Sequence, residues 1–475
     1  MRTTVHSILL TFVILMRCIS SAVTGADTAD ATEESVYGAR PVVNKQLSMD
    51  EAVKIALKES PVVHGAVAEV SAACARLRAA KADRLPMVSA NGFASDGNTS
   101  SIVASPAVVG PAMTTGIPSG RFSDANVMLM LPVFTGGRLN AMVANAKANR
   151  GAAQAEAEGV RQDVAIMTRN AYRAVIARRS VADVADTVLK RNQERLRFDS
   201  ERLKQEQIPA YTIHRDEAEV AASLQDVTNA KRDIEIALID LRTVMGVHPS
   251  SAIVIEGTLT YENSDGLINS LLAADKASGV KSGVDGLLRV AERNRPELSV
   301  AGFNVEGSKA SRSAAVGDFN PQVSLFASGD LMKEESMPSR GGATIGVMAS
   351  IPIFTGGLRS ARVDEARAML QKQEAERQQI AQQVAREVQS ALVGLRASEQ
   401  NISTAESALV AARSESKASE KRYEVGMSTV VDVLDSSAAM TRAENNVIQA
   451  LYDYNAAKDQ LVRSVGRMET LTAND

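Results

Sequence analysis

The residues best placed to do chemistry are two carboxylates in the stretch RYEVGMSTVVDVLD, positions 422 to 435. Asp432 and Asp435 are three apart, so on a helix they share one face, where paired negative charge attracts cations. A second use competes for Asp432. Thr429-x-x-Asp432 has the spacing of a helix-start box, in which the acid serves its own backbone rather than a ligand. Asp435 does not fit that box. The four His residues are scattered, and the many acids along helical stretches read as solvated surface. No zinc spacing, phosphate-binding loop or catalytic triad is present in the sequence. The chain is therefore expected not to be an enzyme, with no cofactor and no metal. A formal net charge of -3 over 475 residues gives no reason to expect nucleic acid as a partner.

The elements that must position these acids are announced by a repeat. LPVFTGGR (131–138) returns as IPIFTGGL (351–358), so Pro132, Phe134, Gly136 and Gly137 meet Pro352, Phe354, Gly356 and Gly357 at an offset of 220. The register continues unbroken to Gly246 and Gly466. Identity is sparse in between, so length itself is constrained, as in a rigid rod. Each motif opens a stretch of 70 residues, 138–207 and 358–427, roughly 105 Å if helical throughout. Val388, Leu395, Ile402 and Leu409 recur every seven positions, as do Val175, Ala182, Leu189, Leu196 and Leu203. That is the seam of coiled-coil packing. Shorter helical stretches at 47–85, 209–246, 285–318 and 429–466 flank the rods, so two short helices end to end match one long antiparallel helix.

Before each motif the pattern changes to period two. Ala125, Val127 and Leu129 oppose Asp124, Asn126 and Met128; Ile345, Val347 and Ala349 oppose Thr344, Gly346 and Met348. Each half thus carries a hairpin, 87–131 and 322–351, with strands long enough to cross a bilayer when tilted. Four strands cannot close a barrel. Two readings stand: a soluble hairpin lying on a helical body, or a membrane barrel completed by several copies. In either, the motif is a strand-to-rod junction, its prolines ending the strands and its glycine pairs supplying free backbone angles. Residues 95–120, rich in Ser, Gly, Pro and Thr, read as a flexible loop.

The N-terminus reads as an export signal over residues 1–26, with Arg2 and His6 ahead of the apolar run Ile8 to Met16 and a cut site between Ala22 and Ala31. Cys18 invites a lipoprotein reading, against which Arg17 stands where such a signal has a small residue. The only thiol beyond this leader is Cys74. No later segment offers eighteen consecutive apolar residues, so any membrane crossing falls to strands.

Taken together, LSMDEAVKIALKESP (47–61), its second copy DGLLRVAERNRPEL (285–298), the paired junctions and the turn RYEVGMSTVVDVLD resemble the TolC family of outer membrane efflux proteins over residues 45–466. The resemblance implies a mainly helical chain in which long antiparallel coiled-coil helices form an α-barrel and four strands contribute to a trimeric, 12-stranded transmembrane β-barrel. It implies an organisation of signal peptide 1–26, mature N-terminus 27–46, first repeat 47–246, equatorial linker 247–284, second repeat 285–466 and tail 467–475. It implies a homotrimer in outer membrane lipid, extending into the periplasm. Such a duct works with a periplasmic adaptor, or membrane fusion protein, and an inner membrane pump of ABC or RND type, passively exporting drugs or proteins, the latter by type I secretion. Tyr423, Gly426, Asp432 and Asp435 match the family's periplasmic entrance motif, and the two acids resemble its constriction acids. Ser428 departs from it, standing where some members carry a basic residue; Thr212 and Glu206 stand where the first turn often has Asp and Gly. The competing reading is a periplasmic coiled-coil scaffold or adaptor without a pore. Against it, adaptors carry a barrel or lipoyl-like insertion within one helical hairpin, whereas here there are two equivalent hairpins and two strand pairs.

Overall fold

The computed structural model describes residues 45–97, 120–273, 283–334 and 338–467. The expected export signal with Cys18, the expected mature N-terminus up to residue 44, the middle of the 95–120 loop, part of the equatorial linker and residues 468–475 of the expected tail lie outside the described residues.

The chain folds as two copies of one unit. The first has strand β1 (Lys45–Leu47), helices α1 (Met49–Glu59) and α2 (Pro61–Ala82), strands β2 (Met87–Gly97) and β3 (Gly120–Phe134), and helices α3 (Arg138–Lys204) and α4 (Tyr211–Met245). After strand β4 (Ile253–Ile255) and helix α5 (Ser264–Ala273), the second has α6 (Val284–Asn294), α7 (Pro296–Gly317), β5 (Gln322–Glu334), β6 (Arg340–Ser350), α8 (Leu358–Glu424) and α9 (Val430–Ser464).

The stretches expected as single helices at 47–85 and 285–318 are each two. Ser60 and Arg295 take extended angles (ψ 125° and 119°) because each precedes a proline, whose ring disfavours the helical region for the residue before it. The prolines then begin the next helix, where a missing N–H costs nothing. A capping box of Ser48 and Glu51 starts α1.

The rods α3 and α8 are 67 residues each, about 100 Å long, three residues shorter than expected. They end together in register, because Glu206 (φ 56°) and Gly426 (φ 76°) both turn left-handed. α4 lies along α3, and α9 along α8; α2 and α7 cover the other halves, with α3 lying between α2 and α7. Burial along the heptad seam is deepest at mid-rod. Val175, Val388 and Leu395 are fully enclosed, whereas Leu189, Leu196 and Leu203 are only half-buried. At mid-rod the short helices meet end to end and the equatorial segment packs on them. There β1 and β4 pair in parallel, and the Tyr172 hydroxyl reaches the carbonyls of Leu47 (2.7 Å) and Glu256 (2.6 Å). The two units are also joined ionically: fully buried Asp459 on α9 accepts from Arg169 Nε on α3 (3.0 Å) and from Arg173.

The two hairpins join into one antiparallel sheet of order β2-β3-β5-β6. Register fixes its faces: Val88 lies opposite Leu129, Leu129 opposite Ala327, and Ala327 opposite Ile345, giving one apolar face. Asn91, Asn126 and Asp330 line up on the other, where the Asn126 amide donates to Asp330. β2 and β6 are left as open edges. No described helix is long and apolar enough to cross a membrane.

Candidate functional site at the helix tips

The rods bring the candidate residues to two ends some 100 Å apart. At the sheet end stand the junctions. Gly136 (φ 62°), Gly137 (85°), Gly356 (59°) and Gly357 (83°) all take left-handed angles that side chains with a Cβ rarely adopt. Gly136 also has no room, since a Cβ there would lie 2.4 Å from both Asn320 Cβ and Gly317 O. One junction residue, Pro132, departs from the sequence reading. Pro132 does not end its strand: β3 continues to Phe134, opposite Ser324 and Val323, through an irregularity between Pro132 and Phe134. Such a bulge accommodates the missing N–H. Pro352 lies beyond the end of β6, its carbonyl accepting from Arg359 Nη1 (3.3 Å). Phe354 is 89% exposed against 50% for Phe134, so the second junction is the barer one.

At the far end, Gly426, Ser428 and Asp432 meet in one turn between α8 and α9. The Asp432 carboxylate accepts from the Thr429 N–H (2.9 Å) and the Ser428 hydroxyl (2.9 Å), while the Asp432 N–H donates to Thr429 Oγ1 (3.3 Å). This is the helix-start box read from the sequence, with Ser428 added to it. The Thr429 backbone N–H, then the two hydroxyls, hold the Asp432 carboxyl below the usual carboxylate range. Asp435, one turn on, is exposed and outside the box.

Tyr423 points elsewhere. Its hydroxyl donates to Asp199 Oδ2 on α3 at 2.9 Å, and Arg202 lies over its ring at 5.3 Å. Burial, and then Asp199, push the Tyr423 hydroxyl far above its ordinary pKa. Asp216 on α4 belongs to the same cluster, and it and Asp199 are both fully buried. Arg195 Nε donates to Asp216 Oδ1 (3.2 Å), and Arg202 Nη1 stands 4.0 Å from Asp199 Oδ1. Burial pushes the Asp216 carboxyl up to about 6, Arg195 opposing and Asp199 adding to the rise. Thr212 is buried on the first turn of α4, its N–H bonded to Pro209 O (3.1 Å). The cluster of Arg195, Asp199, Arg202 and Asp216 was invisible to sequence reading, because acids and arginines in a charged rod look like solvated surface. Its one signal is spacing: Arg195, Asp199 and Arg202 fall at i, i+4 and i+7, a single helical stripe.

The model of the family described as outer membrane efflux protein matches residues 52–247 and 287–467. Outer membrane protein TolC of Vibrio cholerae is 24% identical over 268 residues, 54% of this chain and 57% of that protein. Outer membrane efflux protein BepC of Brucella suis is 26% identical over 174 residues, 36% of this chain and 37% of the relative. These alignments therefore span about half, or less, of the relatives' length. The solved outer membrane protein VceC of Vibrio cholerae superposes with a TM-score of 0.71 at 19% identity, covering 88% of this chain and 96% of that one, a likeness of fold. With both repeats matched, and with the sheet, rods and tips arranged as described, the chain belongs to the outer membrane efflux protein family.

Proposed function

We propose that three copies of this chain form a passive exit duct across the outer membrane. The observation that carries the reading is the four-stranded sheet, apolar on one face and polar on the other, with both edges open and two rods attached. Strands in a bilayer need closed pairing, which one chain does not supply. Pairing β6 of one copy with β2 of the next removes every edge, and three copies give twelve strands, within the range of closed barrels. The helices support the same assembly. α3 lies between α2 and α7, whereas its counterpart α8 has α7 on one side and a bare face over much of its upper half. The α2 of a neighbouring copy fits that place.

In this assembly the α8–α9 turns surround the periplasmic mouth, where Asp432 and Asp435 from three copies form a cation-attracting ring. The chain has no nucleotide-binding motif, so energy comes from an inner membrane pump of ABC or RND type, linked by a periplasmic adaptor. Drugs or proteins are the cargo, in a tripartite efflux or type I secretion system. Planar-bilayer recording tests the reading: the protein conducts with cation preference, and Asp432→Ala with Asp435→Ala reduces that preference and weakens block by multivalent cations. Unchanged selectivity and block would refute the ring; absence of conductance in well-assembled protein would refute the duct.

A further inference from the structure

The apolar face of the sheet is not uniformly bulky. Near the rods it is built of Leu129, Leu131, Leu325, Ile345 and Val347; farther out it falls away to Ala90, Ala125, Gly329 and Gly341, with Val127 and Leu331 as walls. A hollow of about 540 Å³ results. It opens on this face, because its lining comes from these levels and not from Phe93, Met128 or Met332 beside them on the polar face. Pairing of β2 and β6 edges between copies leaves it uncovered. Beyond the hollow, Lys333 follows Leu331 by about 7 Å, and Arg121 stands two alternations past Ala125 on the same face, both exposed. Arg121 Nε donates to Asp96 Oδ2 at 3.1 Å, and a guanidinium carries enough N–H groups to serve a second anion. Among the described residues of this rim, Arg121 and Lys333 outweigh Asp96. Between Leu131 and Arg121, β3 rises about 24 Å at the usual barrel tilt, the height of a lipid-facing apolar band, so the two cations stand at headgroup level.

We propose that the hollow seats an acyl chain of one lipid A molecule, a phosphorylated glycolipid, whose phosphate meets Lys333 and Arg121. The proposal rests on the reading of the sheet as part of a membrane barrel. Within hydrocarbon, apolar area does not distinguish one lipid from another, because the tails around it are equally apolar. Fit does: a chain lying between Val127 and Leu331 recovers the dispersion contacts that a ragged gap forfeits. The volume is within the about 300–1,000 Å³ of sites that enclose a ligand. The two cations select a phosphate over a headgroup without net charge. Position selects the source. Hollow and cations lie in the half of the sheet remote from the rods, hence in the leaflet facing the exterior, where the phosphorylated lipid is lipid A rather than a phospholipid. Toward the rods the same face carries neither a hollow of this kind nor a cation, from Leu129 and Leu131 across to Val347 and Ala349.

The test is native mass spectrometry of the full assembled chain, released from bilayers that hold lipid A and phosphatidylglycerol in equal amounts. The expected result is retention of lipid A in preference to phosphatidylglycerol, up to one molecule per chain. Gly329→Phe fills the hollow without strain, since a Cβ there meets nothing within 4 Å, and loses the preference by at least about tenfold. Lys333→Gln with Arg121→Gln loses it to a similar extent through the headgroup, and Lys333→Gln alone shows a smaller loss should the double variant assemble poorly. Ala349→Phe, exposed on the same face but outside the hollow, retains lipid A as the wild type does. Equal retention of the two lipids by the wild type, or a Gly329→Phe protein that keeps the wild-type preference, overturns the site. Conductance of the same samples separates the two readings: a protein that inserts and conducts but shows no preference for lipid A loses this site alone, whereas one that does not enter the bilayer loses the barrel and the site together.

Discussion

The two helix turns at the tips occupy the same place in the two repeats, yet they are built by opposite means. At the α8–α9 turn, left-handed Gly426 ends the rod, a capping box of Thr429 and Asp432 starts the next helix, and the acids face outward. At the α3–α4 turn, the left-handed position is Glu206, Pro209 and Thr212 stand where Thr429 and Asp432 do, and the acids are inside. At the offset of 220, buried Asp199 and Asp216 correspond to Ser419 and Ser436, also buried but uncharged. Fusion of two similar hairpins thus leaves one tip held by local backbone chemistry and the other by a buried ionic cluster that reaches across to the first. Asymmetry of this kind lets one tip respond to conditions that leave the other unaffected.

The largest effect expected from this contrast comes from stripping a buried charge. Arg195→Ala leaves Asp216 enclosed without its guanidinium and costs about 3–5 kcal/mol in local stability. Its counterpart, exposed Glu415→Ala, changes stability by less than about 0.5 kcal/mol. Hydrogen exchange over residues 190–220 and 410–440 measures both; equal effects would erase the distinction. Next, the two tips respond to pH in opposite senses. Asp216, raised to about 6, stabilises its tip below 3.8 and loses that contribution as pH rises through about 6. Asp432, lowered by its cap, stabilises its turn above the ordinary value of 3.8 and loses that contribution as pH falls through its depressed pKa. Exchange at the two turns, compared between mild acid and neutral pH, checks the signs: only the first turn responds there.

Smaller effects sharpen the same comparison. Thr429→Ala removes the capping hydroxyl of α9 and costs about 1 kcal/mol, read as fraying of residues 430–434; Thr212→Ala has no such capping bond to lose. Least of all, Glu206→Gly relieves a left-handed residue and stabilises its turn by a few tenths of a kcal/mol, whereas Gly426→Ala destabilises its turn by about 1 kcal/mol.

What the sequence discloses of this molecule is what repeats or what is periodic. The strand alternation, the paired junction glycines and the equal rods are legible because each rests on local backbone geometry. Helix breaks at Ser60 and Arg295 follow from the prolines after them, but the continuing apolar pattern hides them. Pro132 reads as a strand end, although pairing with β5 carries β3 past it to Phe134 through a bulge, a matter of tertiary context. At the tips, Thr429-x-x-Asp432 is legible because a capping box is local. The ionic cluster is not, because Asp199, Asp216 and Tyr423 lie on three helices and only the packing of those helices turns surface residue types into a buried site.

The account's central claim is that open sheet edges β2 and β6 close between copies into a duct continued by the rods. Electron microscopy of the membrane-extracted protein in mild detergent tests it most directly. The account predicts three-fold cylinders at least about 100 Å long, set by the 67-residue rods, with a detergent belt at the sheet end only. Thin dimers or filaments without a belt would contradict it.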